Sequence, residues 1–161
     1  MAPARAPVLR KAGGADRPFI RSLAAQAFAP YGDYGPLLLD WFGTPGVEAT
    51  IAEDAAGPAG LTLLAFLADP ESPGAWVEDV LAIAVADRAR RRGLGRRLLE
   101  AAVARAVEAS RRWPVRAVRL SVAEDNHAAR VLFESAGFVY TGREGSFYPR
   151  GQRALHMRRP L

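Results

Sequence analysis

RARRRGLGRRLL, residues Arg88 to Leu99, sets six arginines around a Gly-Leu-Gly core. A β-prone run, Ala75 to Val85, leads into it, and the apolar stripe Leu98, Leu99, Ala102, Val103 and Ala106 follows at helical spacing. A glycine-containing loop between a strand and the first turn of a helix exposes backbone N–H groups that have no intrahelical acceptor, and the helix dipole adds partial positive charge there. The stretch therefore reads as an anion site suited to phosphate. Gly93 and Gly95 allow close approach of the backbone, and Arg90, Arg91, Arg92 and Arg96 can surround the anion. The spacing is neither G-x-x-x-x-G-K-[ST] nor G-x-G-x-x-G, which excludes a nucleotide-hydrolysing P-loop and a dinucleotide fingerprint.

The remainder of the chain limits what that charge is for. With 161 residues, half of them hydrophobic, one compact domain spanning 1–161 is the default. The absence of cysteine removes disulfides, thiol nucleophiles and thiolate zinc sites, and with only His127 and His156 no metal centre is expected. The start, MAPARAPVLRKAGG, lacks the apolar core of a secretory signal, and no later apolar run approaches the ~20 residues of a membrane span, so a soluble cytoplasmic protein is expected. Charge is unevenly distributed: residues 1–85 carry five basic and ten acidic side chains, residues 86–161 seventeen and seven. Lys11 is the only lysine, a profile that also suits a GC-rich coding sequence. Nucleic acid is not the expected partner, because the densest charge lies in the glycine loop and no interleaved aromatic series is present for base stacking.

Periodicity places the other elements. Val8 to Ala12 reads as a strand, and Asp16 as the cap of a helix entered through Pro18 and carrying Ile20, Leu23, Ala24, Ala27 and Phe28 on one face. PYGDYGP breaks that helix, and a short helix over Leu37 to Phe42 follows. Strands are expected at Val47 to Glu53, Leu61 to Ala68 and Ala75 to Val85, with DAAGPAG and DPESPG as connections. A helix over Gly95 to Ser110, a strand over Val115 to Val122, a helix over Asn126 to Ala136 ending at Gly137, and strands at Phe138 to Thr141 and Ala154 to Arg158 complete the chain. The order describes an α+β domain with one mixed sheet of about six to seven strands and helices on both faces.

Arg90-Arg91-Arg92-Gly93-Leu94-Gly95 resembles the [RQ]-x-x-G-x-[GA] pyrophosphate loop of the GNAT superfamily of acyl-CoA-dependent N-acyltransferases. LSVAEDNHAARVLFESAGF resembles that family's second signature through Leu120, Val122, Asn126, Ala129, Leu132, Phe133, Gly137 and Phe138. The resemblance implies acetyl-CoA as co-substrate and a sheet splayed between the strands Ala75-Val85 and Val115-Val122. It implies that Ala82, Ile83, Ala84 and Val85 pair their backbone with pantetheine, and that Arg90, Arg91, Arg92, Gly93, Leu94, Gly95 and Arg96 bind the pyrophosphate. Asn126 and Phe133 would meet the pantetheine arm, and the helix Ala128 to Ala136 would flank the thiol end.

Acylation of an amine by direct attack needs a base for the amine and an acid for the leaving thiolate. Many relatives carry an acidic residue before the pyrophosphate loop. Here Asp79 stands there with Glu78 beside it, alternation turns them to opposite faces, and Asp79 is preferred. The family's usual acid is a tyrosine where this chain has Phe133, leaving Tyr148, Tyr140 or water to protonate the thiolate. The last third, including Phe147-Tyr148-Pro149, resembles the ribosomal-protein N-terminal acetyltransferases, which usually carry Glu where Ser121 stands. The expectation is an acetyl-CoA-dependent N-acetyltransferase acting on a primary amine in a ternary complex. An acyl-CoA-binding regulatory module that has lost turnover is the alternative. Asp33, Asp40 and Glu48, with Tyr31, Tyr34 and Trp41, point to a cationic acceptor; no membrane partner is expected, and a homodimer is left open.

Overall fold

The structure, a computed structural model, describes residues 5–161; residues 1–4 of the Ala/Pro-rich start lie outside the described residues. Seven strands form one sheet: β1 (Val8–Lys11), β2 (Val47–Asp54), β3 (Gly57–Ala68), β4 (Trp76–Val85), β5 (Val115–Ala123), β6 (Val139–Glu144) and β7 (Ala154–Pro160). Their order across the sheet is β1-β2-β3-β4-β5-β7-β6. The β4–β5 pair is parallel and the others are antiparallel.

Four helices cover the two faces, as the periodicity predicts. On one face α1 (Arg17–Ala27) and α2 (Gly35–Phe42) press Ile20, Leu23, Ala24 and Leu38 onto Ile51, Leu61, Leu63, Ala82 and Ala84. On the other, α3 (Leu94–Ser110) lays Leu99, Ala102, Val103 and Ala106 on Val118, Leu120 and Val122, and α4 (His127–Ser135) adds Phe133 to the same cluster. None of the described helices is long and apolar enough to cross a membrane.

Two features of β4 open the sheet. Leu63 pairs with Ala82 but Leu64 with Val80, so Leu81 is an extra residue, a bulge that bends the strand. The parallel pairing with β5 ends at Val80 and Leu120, although β4 continues to Val85 and β5 to Ala123. The splay lies between the carboxyl ends of two parallel strands, where an open α/β sheet leaves a binding crevice.

Three local readings change. β3 begins at Gly57 rather than Leu61, which shortens the DAAGPAG connection to a two-residue turn at Ala55 and Ala56. Gly57 takes φ +109°, and the Asp54 carboxylate accepts the Ala56 N–H at 2.9 Å. Apolar alternation cannot reveal Gly60, whose missing side chain makes room for Leu98 of α3: a Cβ there would stand 2.9 Å from its methyl group. Asp16 does not cap α1 with its side chain; it accepts the Gly13 N–H at 2.8 Å and holds Arg10 bidentately at 2.8 Å on both oxygens. β6 runs to Glu144, exposed along its whole length, so its backbone pairing with β7 rather than any buried face defines it.

Candidate active site

The cofactor half is made mostly of backbone. Beyond Val80 the β5-facing edge of β4, Leu81 to Val85, has no strand partner among the described residues. The Ala82 and Ala84 side chains are spent in the core under α1 and α2, Ile83 and Val85 pack on the α3 side, and the main chain alone faces the gap. Past Val85 the chain turns through Asp87–Ala89 into the arginine loop. Arg91 (φ +62°) and Gly93 (φ +74°) both take the left-handed conformation, a costly one for arginine and a mark of an anion-binding turn. The first backbone bond of α3 runs from the Arg97 N–H to the Gly93 carbonyl, which leaves the N–H groups of Leu94, Gly95 and Arg96 free of the helix ladder. The Leu94 side chain is buried under the sheet, so only its backbone serves the loop.

The arginines divide by role. Arg88 grips both oxygens of Asp54 at 3.0 and 2.8 Å and the carbonyls of Gly57 and Pro58, fastening the β2–β3 turn. Arg97 donates to the Pro7 carbonyl at 2.7 Å. Arg90 holds the Val85 carbonyl and Asp87, and Arg96 donates to Ser135 Oγ on α4 at 2.6 Å. Arg91 and Arg92 are exposed and make no ion pair or side-chain hydrogen bond among the described residues, so they remain available to an anion. Asn126 caps α4 by accepting the Ala129 N–H at 3.3 Å. Phe133 sits 4% exposed against Phe138, with ring centroids 6.1 Å apart. Its ring belongs to the core cluster on the α3 face.

The two carboxylates of β4 part company. Glu78, named with Asp79 as a catalytic candidate, faces α3: it is fully buried, neither oxygen finds a hydrogen-bond partner, and burial with the nearby Glu48 pushes its pKa up to about 8. Alternation places it beneath the helix and away from the open face. Asp79 faces the other side, where Arg119 of β5 donates to it from Nε at 3.2 Å and Nη2 at 3.1 Å. Burial raises the Asp79 pKa, while Arg119 and His156 pull against that rise.

Segments far apart in the chain meet on this open face. Tyr148 packs its ring 5.1 Å from Tyr31, 6.4 Å from Tyr34 and 5.0 Å from Phe147. Burial, then the neighbouring tyrosines and Asp125, raise its pKa and hold it protonated. The β6–β7 loop is latched to the α1–α2 loop: Gln152 donates to the Pro30 carbonyl at 2.7 Å and the Arg150 N–H to the Tyr31 carbonyl at 3.2 Å. At Gly32 a Cβ would stand 2.9 Å from Pro149, so only glycine permits this approach. Tyr140, the other candidate acid, lies outside the cleft and bonds Glu134 and Arg130 of α4. Of the side chains assigned to a cationic acceptor, Tyr31 lines the cleft and Asp33 is exposed beside it. Tyr34 and Trp41 pack on the α1–α2 core, and Glu48 is bound by Arg105 on the opposite face at 2.8 Å. Sequence reasoning missed His156 and Arg119; only their alternation with the buried Leu155, Met157, Val118 and Leu120 marks them as facing this cleft.

The family model described as Acetyltransferase (GNAT) family matches residues 18–138, most of the chain. The chain belongs to the GNAT acetyltransferase family. Acetyl transfer from acetyl-CoA is the general chemistry of that family. The chain's fold is similar to that of Arabidopsis thaliana NAA60 in complex with acetyl-CoA, at 15% identity over 97% of this chain and 99% of that one, with a TM-score of 0.83. It is similar also to the ribosomal-protein-S18-alanine N-acetyltransferase of Escherichia coli, at 22% identity over 97% of this chain and 94% of that one, with a TM-score of 0.77. Ard1 from Thermoplasma volcanium, at 22% identity, covers 98% and 99% with a TM-score of 0.75. No curated protein gives a significant match in sequence.

Proposed function

We propose that the chain transfers acetyl from acetyl-CoA to a primary amine by direct attack within a ternary complex. The observation that carries this reading is the continuity of the open β4 edge with the left-handed Arg91–Gly93 turn. One strand offers unpaired peptide groups to an amide-bearing arm and then turns directly into N–H groups and free arginines for a diphosphate. Arg91, Arg92 and the backbone of Gly93 to Arg96 hold the diphosphate, and Leu81 to Val85 hold the pantetheine. Tyr148, whose ring packs against Tyr31 and Phe147 on the open face, supplies the proton that the leaving thiolate takes, the task Phe133 has no hydroxyl to perform. Asp79 is committed to Arg119, and the ion pair adds no net charge to the floor of the acceptor cleft. The acceptor is a cationic amine, favoured by the Asp125 carboxylate beside Tyr31 and Tyr148 and by the cation affinity of aromatic faces.

Thiol release from acetyl-CoA, followed with spermidine, an aminoglycoside, free amino acids and an alanine-starting peptide, tests the reading. Amine-dependent release is expected, fastest with a polycationic acceptor. Tight CoA binding with no release from any amine would instead identify an acyl-CoA-binding module.

A further inference from the structure

On the open face of the sheet, at the first residue of β5 beyond its last pairing with β4, the Ser121 hydroxyl lies 2.8 Å from His156 Nδ1. The opposite ring nitrogen, Nε2, lies 3.2 Å from the Glu144 carboxylate. Three adjacent strands contribute one member each: Ser121 and His156 are directly opposed across β5 and β7, and Glu144 comes from β6. The acceptor side of the splay thus contains a hydroxyl, an imidazole and a carboxylate in one hydrogen-bonded line, which Asp79 cannot replace because Arg119 occupies it. We propose that Ser121 and His156 form the proton relay that deprotonates the acceptor amine, with Glu144 as the positioning residue. The proposal rests on the acetyl-transfer reading above.

The partners fix the tautomer. Glu144 accepts from Nε2–H, which leaves the Nδ1 lone pair to accept from the Ser121 hydroxyl. The reacting amino group enters in its neutral form, having given one proton to solvent; its nitrogen lone pair forms the new C–N bond while the C–S bond of the thioester breaks and its electron pair leaves on sulfur. The surplus N–H proton passes to Ser121 Oγ as the serine's own proton moves to Nδ1. The resulting imidazolium donates to Ser121 and to Glu144, and sulfur takes its proton from Tyr148. The products are the amide and free CoA thiol, and the imidazolium proton returns to Tyr148 through solvent.

The surroundings suit an imidazole that must cycle. The Phe147 ring stands edge-on at 5.8 Å, and 35% of the histidine side chain remains open to solvent for proton return. Charged groups described on this face include Glu144 on β6, Asp79 on β4, Arg119 on β5, Arg158 two residues along β7 itself, and Asp125 in the β5–α4 turn beside Tyr31 and Tyr148. Arg119 is neutralised by Asp79 and Arg158 by Asp69 and Glu71. Glu144 is the carboxylate in hydrogen-bonding reach of the ring and balances the imidazolium.

The test measures kcat, the KM for acetyl-CoA and the pH profile of the full-length protein with the fastest amine of the panel. His156→Ala should lower kcat about 100-fold with the KM for acetyl-CoA unchanged, lose the ascending limb of the pH profile, and regain turnover on addition of free imidazole. Ser121→Ala should lower kcat about tenfold, and Ser121→Thr, which keeps the hydroxyl, should restore it. Turnover within twofold of wild type in His156→Ala or Ser121→Ala overturns the relay and leaves the acetyl-transfer reading standing. A kcat loss in His156→Ala with the ascending limb intact and no imidazole rescue shows a structural role and overturns it too. Wild-type protein that releases no thiol with any amine defeats the acetyl-transfer reading, and the relay with it.

Discussion

The two halves of the cleft are built differently. The half proposed for the cofactor comes from one continuous stretch, Leu81 to Arg96, and offers backbone groups and free arginines. The acceptor half draws single side chains from the α1–α2 loop, β5, the β5–α4 turn, β6, the β6–β7 loop and β7, held by contacts such as Gln152 to Pro30 that span 122 residues. A site made of local backbone depends on conformation, and residues between its glycines can change while the turn persists. A site made of distant side chains depends on the whole sheet holding register, because a one-residue slip turns every group to the other face.

The strand shared by both halves offers the sharpest way to break this division. If Glu78 worked in the acceptor half, Glu78→Gln would reduce turnover. Its burial beneath α3 predicts instead that kcat stays within about twofold while stability changes. The folded carboxyl keeps its proton until about pH 8, whereas an unfolded one loses it near 4.5. Folding is therefore favoured by this group below pH 4.5, and that contribution is lost as the pH rises through 8. By the free energy of one pKa unit, the loss amounts to as much as about 5 kcal/mol. Denaturant melts at pH 5 and pH 9 should show a large alkaline loss in wild type and a much smaller one in Glu78→Gln. An equal loss in both would show that Glu78 is not held neutral in the core.

The same division explains what was legible in the sequence. The succession of strands and the four helices followed from periodicity, and the splay was implied by the resemblance that the two motifs carry, since a local backbone site leaves glycines and arginines at fixed spacing. Alternation alone separated Asp79 from Glu78. It could not show that Arg119 would claim Asp79, because cross-strand pairing between residues 40 apart has no local signature. Ser121 registered only as a missing glutamate. His156 read as one histidine among two, because its partners, Ser121 and Glu144, are 35 and 12 residues away. Glu48 was placed near the acceptor on proximity in sequence to Asp40, yet the turn before β2 carries it to the opposite face and Arg105 binds it there.

The local half is tested at Gly95. A Cβ there would meet a Leu132 methyl at 3.4 Å and Val85 at 3.8 Å, contacts that a small side chain can make. Gly95→Ala should therefore bind acetyl-CoA within about threefold of wild type. Gly95→Asp should weaken binding tenfold or more by calorimetry, since its carboxylate would occupy the N–H groups and repel a diphosphate that charge-assisted hydrogen bonds, each about 1.5–3 kcal/mol, would otherwise hold. Both variants should retain the wild-type melting profile. Full affinity in a folded Gly95→Asp would remove the diphosphate from this loop.

The smallest expected effect probes the distant half, where Asp125 of the β5–α4 turn neighbours Tyr31 and Tyr148 of the α1–α2 and β6–β7 loops, the roof loops of the cleft. A cationic amine entering there would trade hydration for the carboxylate and two ring faces, each ring contact contributing roughly 0.5–2 kcal/mol. Asp125→Asn keeps the shape and removes the charge, so the KM for a polycationic amine should rise about three- to tenfold while the KM for acetyl-CoA stays constant. Asp33→Asn, exposed and farther from the rings, should move the same parameter less than twofold, and Glu48→Gln not at all, because Glu48 lies on the α3 face. In wild type, kcat/KM should fall as ionic strength rises toward physiological values, since attraction between exposed charges is screened over about 8–10 Å. The salt dependence should flatten in Asp125→Asn, which separates a lost charge from a lost packing contact. Salt-insensitive turnover, or a best acceptor that is neutral or anionic, would mean the tyrosines and Asp125 hold the roof loops together and do not read the charge of the acceptor.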